Sequence, residues 1–252
     1  MKKNTSNTEY YASHWEIFQG NEVPTSKLSG AKHFFAPIEE FLQKKELVIL
    51  DAGCGDGVHW HYLRSLPNQN HHYYGIDVAQ SVISQLQNQT HNKMDRFQVM
   101  NLDSLKFPDS TFDIVFAFGV LGYCDNPEKA FDELYRVCKP GGLIGIFSPE
   151  ITGIKKIFFE TIRGLCKGMN LEGKRRIARM IIPLYGLLPS NSKMSQKNAI
   201  PLQIEEVIMT NIAPPQLQFL SNEKIKKQFH SHSVEVIDDN KIERTSIWGR
   251  KK

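Results

Sequence analysis

Apolar positions along the chain fall into two alternating patterns. Short continuous runs read as strands buried on both faces: "LVILDA" (47–52), "YYGIDV" (73–78), "RFQVM" (96–100), "FDIVFAFGV" (112–120) and "LIGIFS" (143–148). Between them apolar residues recur at helical spacing. "AKHFFAPIEEFLQKK" (31–45) places Phe34, Phe35, Ile38, Phe41 and Leu42 on such a pattern. Further helices are predicted from Gly57 through Leu63 and over 79–89. Another starts at an Asp125 or Asn126 cap, has Pro127 at its first position and runs to about Cys138, where "KPGG" (139–142) ends it. Strands alternating with helices predict an α/β fold with a parallel sheet covered on both faces.

The rhythm breaks after Pro149. Residues 150–215 are helical, apolar and basic. The pattern then resumes with a helix over 222–232, behind Ser221 or Asn222, and an antiparallel hairpin in which "SVEVID" and "IERTSIWG" flank "DNK". Four parts follow: an N-terminal cap or substrate segment (1–45), a ligand-binding core (46–149), a basic helical lid inserted at 150–215, and a helix plus hairpin (216–252) that completes the sheet.

Composition changes this picture in one place. The 252 residues, 40% of them apolar and 23% charged, suit a soluble globular chain. The net charge of +4 is unevenly placed, because residues 151–200 hold ten Lys/Arg against Glu160 and Glu172 and so leave the rest of the chain acidic. The longest apolar stretch, "IARMIIPLYGLLP" (177–189), contains Arg179 and Pro183 and is too short to span a bilayer. The N-terminus lacks the apolar region of a secretory signal. Cys54, Cys124, Cys138 and Cys166 form no CxxC pair and no zinc-type cluster, so no metal is expected, and reduced thiols point to the cytoplasm.

The chemistry concentrates in "VILDAGCGDGVHW" (48–60). A strand, a glycine-rich turn and a helix make half of a nucleotide-type site: glycines admit backbone to ligand, and a helix N-terminus favours negative charge. A dinucleotide loop requires G-x-G-x-x-G, but the residue three after Gly55 is Val58 and the third glycine comes one step early, at Gly57. No Gly-Lys-Ser/Thr follows, which excludes a P-loop. Asp77 ends the second strand, twenty positions after Gly57, where a carboxylate can accept both ribose hydroxyls of an adenosine; an exposed loop aspartate is the alternative. Asp103 follows the third strand and can accept from an adenine amino group; a turn residue or helix cap is its alternative.

With these residues in place the chain resembles the class I S-adenosylmethionine-dependent methyltransferases, in the broad group that includes ubiquinone and menaquinone biosynthesis enzymes. The matching stretches are "VILDAGCGDG" (48–57), "YYGIDVAQSVI" (73–83), "NLDSLKFPDSTFDIVFAFGVLGY" (101–123) and "AFDELYRVCKPGGLIGIFSP" (130–149). The resemblance implies a Rossmann-like three-layer sandwich, seven-stranded with one antiparallel strand at the end, and S-adenosyl-L-methionine as cofactor. It implies that Asp51, Gly53 and Gly55 shape the pocket for the methionine half. Asp77 then holds the ribose, Val78 lies against the adenine, Asn101, Leu102 and Asp103 border it, and Phe118 lies beside the reactive end. This chain departs from the group at Gly122 and Tyr123, where many relatives carry a His pair.

Methyl transfer from a sulfonium is an in-line displacement, so alignment and water exclusion do most of the work. Tyr11 and Trp15 are candidates for the substrate side, with simple packing as their alternative. A base is needed only when the acceptor must lose a proton, and His59 and Tyr123 are the candidates. The expected acceptor is a small or lipid-like molecule with an O, N or C nucleophile. The basic insertion offers either a lid or a peripheral membrane contact, and its bland alternative is a solvated face over ordinary core. No nucleic-acid module is recognisable. A cofactor-binding protein without catalysis and a nicotinamide-dependent oxidoreductase are the competing classes.

Overall fold

The computed structural model describes residues 6, 7, 9–11, 25–43, 46–67, 70–149, 151, 153–186, 188, 201–240 and 246–252. In chain order the core begins with β1 (Val48–Ala52), α3 (Val58–Arg64), β2 (His72–Asp77), α4 (Gln80–Gln89), β3 (Asp95–Val99) and β4 (Phe112–Phe118). It continues with α5 (Pro127–Val137) and β5 (Cys138–Phe147). Two N-terminal helices, α1 (Thr25–Phe35) and α2 (Glu39–Leu42), precede it, joined by a 3-10 turn over Ala36–Ile38. The 31–45 pattern is therefore split, because Pro37 cannot donate within a continuing helix. α6 (Gly153–Leu165), α7 (Leu171–Gly186) and α8 (Pro201–Ile212) form the insertion, and α9 (Asn222–Ser231), β6 (Val234–Asn240) and β7 (Ser246–Lys251) close the chain.

The seven strands lie in the order β3-β2-β1-β4-β5-β7-β6. β1 to β5 are parallel, and β7 slots antiparallel between β5 and β6. This is the seven-stranded, mostly parallel sheet expected, with β7 as the reversed strand. The "KPGG" turn lies inside β5: Cys138 already pairs with Phe112, and the register then shifts so that Leu143 faces Ile114. Of the second hairpin strand, residues 242–245 lie outside the described residues, and β7 runs on to Lys251.

Alternate residues of each strand enter two separate cores, which is why the strands read as unbroken apolar runs. Leu50, Val115 and Ile144 join Phe131 and Leu134 of α5 and Phe229 of α9 on one face. Ile49, Ile114 and Phe116 join Phe34 and Phe35 of α1, Trp60 of α3 and Ile83 of α4 on the other. Caps follow the sequence signals. Asn126 Oδ1 accepts from the Lys129 amide (3.0 Å) before Pro127, and the Ser221 side chain accepts from Lys224 (3.4 Å) at α9. The insertion has a third core of its own, in which Phe159, Ala178, Ile181, Ile208 and Met209 meet Tyr10 from the N-terminal segment.

Candidate active site

The sheet order changes direction at β1, which pairs with β2 on one side and β4 on the other. Loops leaving the carboxyl ends of these strands diverge there and leave a crevice. A cavity of about 290 Å³ occupies it. Its floor is Gly53 and Gly55 after β1, Asp77 and Val78 after β2, Asn101 and Leu102 after β3, and Phe118 to Val120 after β4. Its roof is Asn7, Tyr11, Tyr123, Cys124, Asp125 and Thr210.

The start of the glycine loop is held by backbone hydrogen bonds. The amides of Gly53 and Cys54 both donate to the Ile76 carbonyl (2.8 and 2.9 Å). Gly53 has φ +84, and a Cβ there would lie 2.7 Å from the Val120 side chain, so the loop tolerates no side chain at this point. Gly57 caps α3 in the left-handed conformation (φ 76), and Val58 is already helical.

Asp77 closes the loop from below. Its Oδ2 accepts from the Gly55 amide (3.1 Å) and its Oδ1 from the Ala79 amide (3.0 Å). Burial holds its carboxyl above the usual range, and the backbone donors, Ala79 first, pull against that. It is a buried wall residue, not an exposed loop aspartate.

Asp51 does not line the cavity. It is fully buried behind the loop, where Oδ2 accepts from the Tyr73 hydroxyl (2.6 Å) and Oδ1 has no hydrogen-bond partner. Burial pushes its carboxyl up to about 8. His59 Nδ1 stands 3.7 Å from the same Oδ2, and its ring packs among Phe34, Phe35, Phe116 and Phe118. Burial lowers its pKa to about 4, so His59 is a neutral core residue off the cavity wall. Asp103 is off the wall as well: it sits in a turn whose amide donates to Asn101 Oδ1 (3.3 Å), leaving Asn101 and Leu102 to face the crevice.

On the roof, the Tyr11 and Tyr123 rings meet edge to face at 5.4 Å. Burial pushes the Tyr123 hydroxyl up to about 12 and the Tyr11 hydroxyl higher still, with the Arg163 cation pulling both down. Neither ionises near neutral pH. Asn7 ties this roof together: its Nδ2 donates to the carbonyls of Tyr123 and Gln216, and its Oδ1 accepts from the Gln216 amide (3.0 Å). Gly122 pairs with Gln218, whose amide donates to the Gly122 carbonyl (2.8 Å). A Cβ on Gly122 would lie 2.5 Å from the Gln218 carbonyl oxygen, so this close backbone contact leaves no room for a side chain.

The structure thus brings Gly53, Gly55, Asp77, Val78, Asn101, Leu102, Phe118, Tyr11 and Tyr123 together and leaves Asp51, His59 and Asp103 outside the wall. Trp15 lies outside the described residues. Asn7, Val120, Cys124, Asp125 and Thr210 are additional. Cys124 and Asp125 follow the fourth strand, where position along the fold could have flagged them. Asn7 and Thr210 are brought in by packing across about two hundred residues of chain and carry no local signal.

Residues 50–146 match the family described as "Methyltransferase domain". Malonyl-[acyl-carrier protein] O-methyltransferase of Pectobacterium atrosepticum is 31% identical over 98 residues, 39% of this chain and 37% of that protein. Sterol 24-C-methyltransferase erg-4 of Neurospora crassa is 31% identical over 111 residues, 41% of this chain and 28% of that protein. The chain thus spans less than half the length of either relative. Among solved structures, a SAM-dependent methyltransferase from Aquifex aeolicus superposes with a TM-score of 0.52 at 15% identity, over 90% of this chain and 98% of that one. The ordered motifs, the strand order and these likenesses converge: residues 50–146 of this chain are similar to the methyltransferase domain, and the chain has the fold of a SAM-dependent methyltransferase.

Proposed function

We propose that the chain transfers a methyl group from S-adenosyl-L-methionine to an O, N or C nucleophile of a small-molecule or lipid-like acceptor. The observation that carries this reading is the composition of the crevice: a glycine-rich floor at the ends of β1 to β4 faces a roof in which Tyr11 of the N-terminal segment and Tyr123 of the loop after β4 stand beside Thr210 of the insertion. The relatives named for acyl-carrier-linked malonyl and sterol acceptors support a small or lipid-like substrate. Four free cysteines support a reducing, cytoplasmic compartment.

The residues fit the cofactor's parts. Gly53 and Gly55 leave room for the amino-acid end, and the buried carboxyl of Asp51 behind them keeps one oxygen without a partner. Asp77 keeps lone pairs on both oxygens beyond the two amides it already accepts, enough for a ribose diol. Val78 and Leu102 give apolar contact for an adenine, with Asn101 at its edge. When bound, the cofactor supplies a methyl group on a positively charged sulfur.

Phe118 and Tyr11 set aromatic faces at the reacting end and keep water out, and such faces favour a cation. With Tyr123 pushed up to about 12 and His59 buried off the wall, neither serves as a base near neutral pH. The chain's contribution is alignment and desolvation, worth several kcal/mol of barrier in comparable systems, about 7 at the lower end. Isothermal titration tests the cofactor assignment: S-adenosylmethionine and S-adenosylhomocysteine should bind at sub-millimolar concentration and NADH should not. The reverse order would make the chain a nicotinamide protein.

A further inference from the structure

The insertion hides one apolar face and displays another. Nine large apolar side chains of the described residues are strongly exposed, and seven of them lie between 154 and 207. On α6, Phe159 and Cys166 point into the cap core, while Ile154, Ile157 and Leu165, 63 to 67% exposed, recur on the opposite side. On α7, Met180 (74%) and Leu184 (54%) stand exposed while Ala178 and Ile181 are buried in the cap core. A surface helix with a single buried stripe presents mainly polar residues outward, and these two also set large apolar side chains among them.

The basic residues of this segment divide in the same way. Arg163, Lys174 and Arg175 are spent internally on the Asn211 carbonyl (3.0 Å), the Ala213 carbonyl (2.7 Å) and Glu205 (3.2 Å). Lys156 on α6, Lys167 just beyond it and Arg176 on α7 are on the outer surface with the exposed apolar residues, as is Arg179, which also pairs with Glu205 (2.9 Å). Glu160 answers Lys156, Glu172 answers Arg176 and the buried Glu205 is shared by Arg175 and Arg179, so cations still outnumber acids across these two faces.

We propose that the outer faces of α6 and α7 dock on an anionic lipid bilayer surface, with Ile157 and Met180 entering the headgroup boundary and the flanking Lys and Arg side chains on the phosphates. The charge selects this occupant. A second copy would pair the same cationic patch with itself, as two-fold contacts do. Residues 189–200 carry Lys193 and Lys197 and no acid, so they do not complement the face either. No described helix is long and apolar enough to cross a membrane, so the contact is peripheral. α8 ties this surface to the crevice, with Ile208 and Met209 in the cap core and Thr210 on the cavity wall. The docking face is thus one helix away from the site where an acceptor would sit. The inference does not depend on methyl transfer, because binding to lipid needs no turnover.

Co-sedimentation of the full chain with vesicles tests it. Vesicles of phosphatidylcholine with phosphatidylglycerol should pull the protein down, and pure phosphatidylcholine should not. Raising salt should release it. Ile157→Asp with Met180→Asp should weaken binding about tenfold or more, and Lys156→Glu with Lys167→Glu should do the same through charge alone. All four positions are exposed, and unchanged S-adenosylmethionine affinity would show that each variant keeps its fold. Absence of binding to anionic vesicles, equal binding to neutral ones, or undiminished binding of both variants would overturn the proposal. Self-association of the wild type, abolished by Ile157→Asp with Met180→Asp, in the absence of lipid binding would assign the face to a second copy instead.

Discussion

Asp77 and Asp51 are two buried carboxylates a few residues from one loop, and their surroundings give them different work. Asp77 holds the loop through the amides of Gly55 and Ala79 and still faces the crevice. Asp77→Ala should therefore weaken S-adenosylmethionine binding at least tenfold, about 1.4 kcal/mol, as read by titration calorimetry. It should also lower the unfolding midpoint, since two buried amides lose their acceptor. Unchanged affinity would mean the ribose lies elsewhere. Asp51 couples the fold to pH. Its carboxyl rises from 3.8 to about 8 on folding, so the native state holds the extra proton in that window and stability falls as pH rises through it. His59 acts with the opposite sign: it falls from 6.5 to about 4, and stability is lost as pH drops through that range. Between pH 6.5 and 8 Asp51 acts without His59. Urea unfolding of the wild type should show a lower midpoint at pH 8 than at pH 6.5, and Asp51→Asn should flatten that slope. Equal slopes would contradict the assignment. The type of Asp51 was legible in the loop motif. Its withdrawal behind the loop was not, because that depends on the Tyr73 hydroxyl of the neighbouring strand.

At the scale of elements, the strands and most helices were legible because each obeys one local rule: continuous apolar runs for strands buried on both faces, and helical spacing with caps for the helices between them. Departures came where a long-range contact outweighs the local signal. "KPGG" carries every mark of a turn, yet β5 absorbs it through a shift in register against β4. The roof of the crevice was the least legible part. Its keystone, Asn7, bonds to residues 116 and 209 positions away, and no pattern along the chain reports that. Asn7→Ala should release the segment carrying Tyr11 from Tyr123 and Gln216. Hydrogen exchange should then rise about tenfold or more at the Tyr10 and Gln216 amides, given about 1 kcal/mol for each bond lost. The Gly53 and Cys54 amides should be unaffected. Uniform change across both sets would mean that Asn7 supports the whole fold and not the roof.

The whole molecule is one sheet with two cores and a cap with a third. The cofactor floor belongs to the sheet, and Thr210 of the roof to the cap, so the cap core and the floor should respond separately to mutation. Phe159→Ala empties a buried position in the cap core and should cost about 3 to 5 kcal/mol there. It should leave S-adenosylmethionine affinity within about threefold, since Phe159 belongs to the cap core and not to the cavity wall, and an early thermal transition should appear for the cap. A large loss of cofactor affinity would show instead that cap and floor fold as one unit. The basic insertion, legible as a charge imbalance, turns out to use part of its charge on Glu205 and on its own carbonyls and part on its outer surface. Transfer of label is the most direct test of the central reading. The full chain should be incubated with methyl-labelled S-adenosylmethionine and a metabolite extract that includes lipids. The account predicts a labelled product and an equal amount of S-adenosylhomocysteine, both lost in Asp77→Ala. Tight cofactor binding with no label transferred to any component would contradict it and make the chain a binder without catalysis.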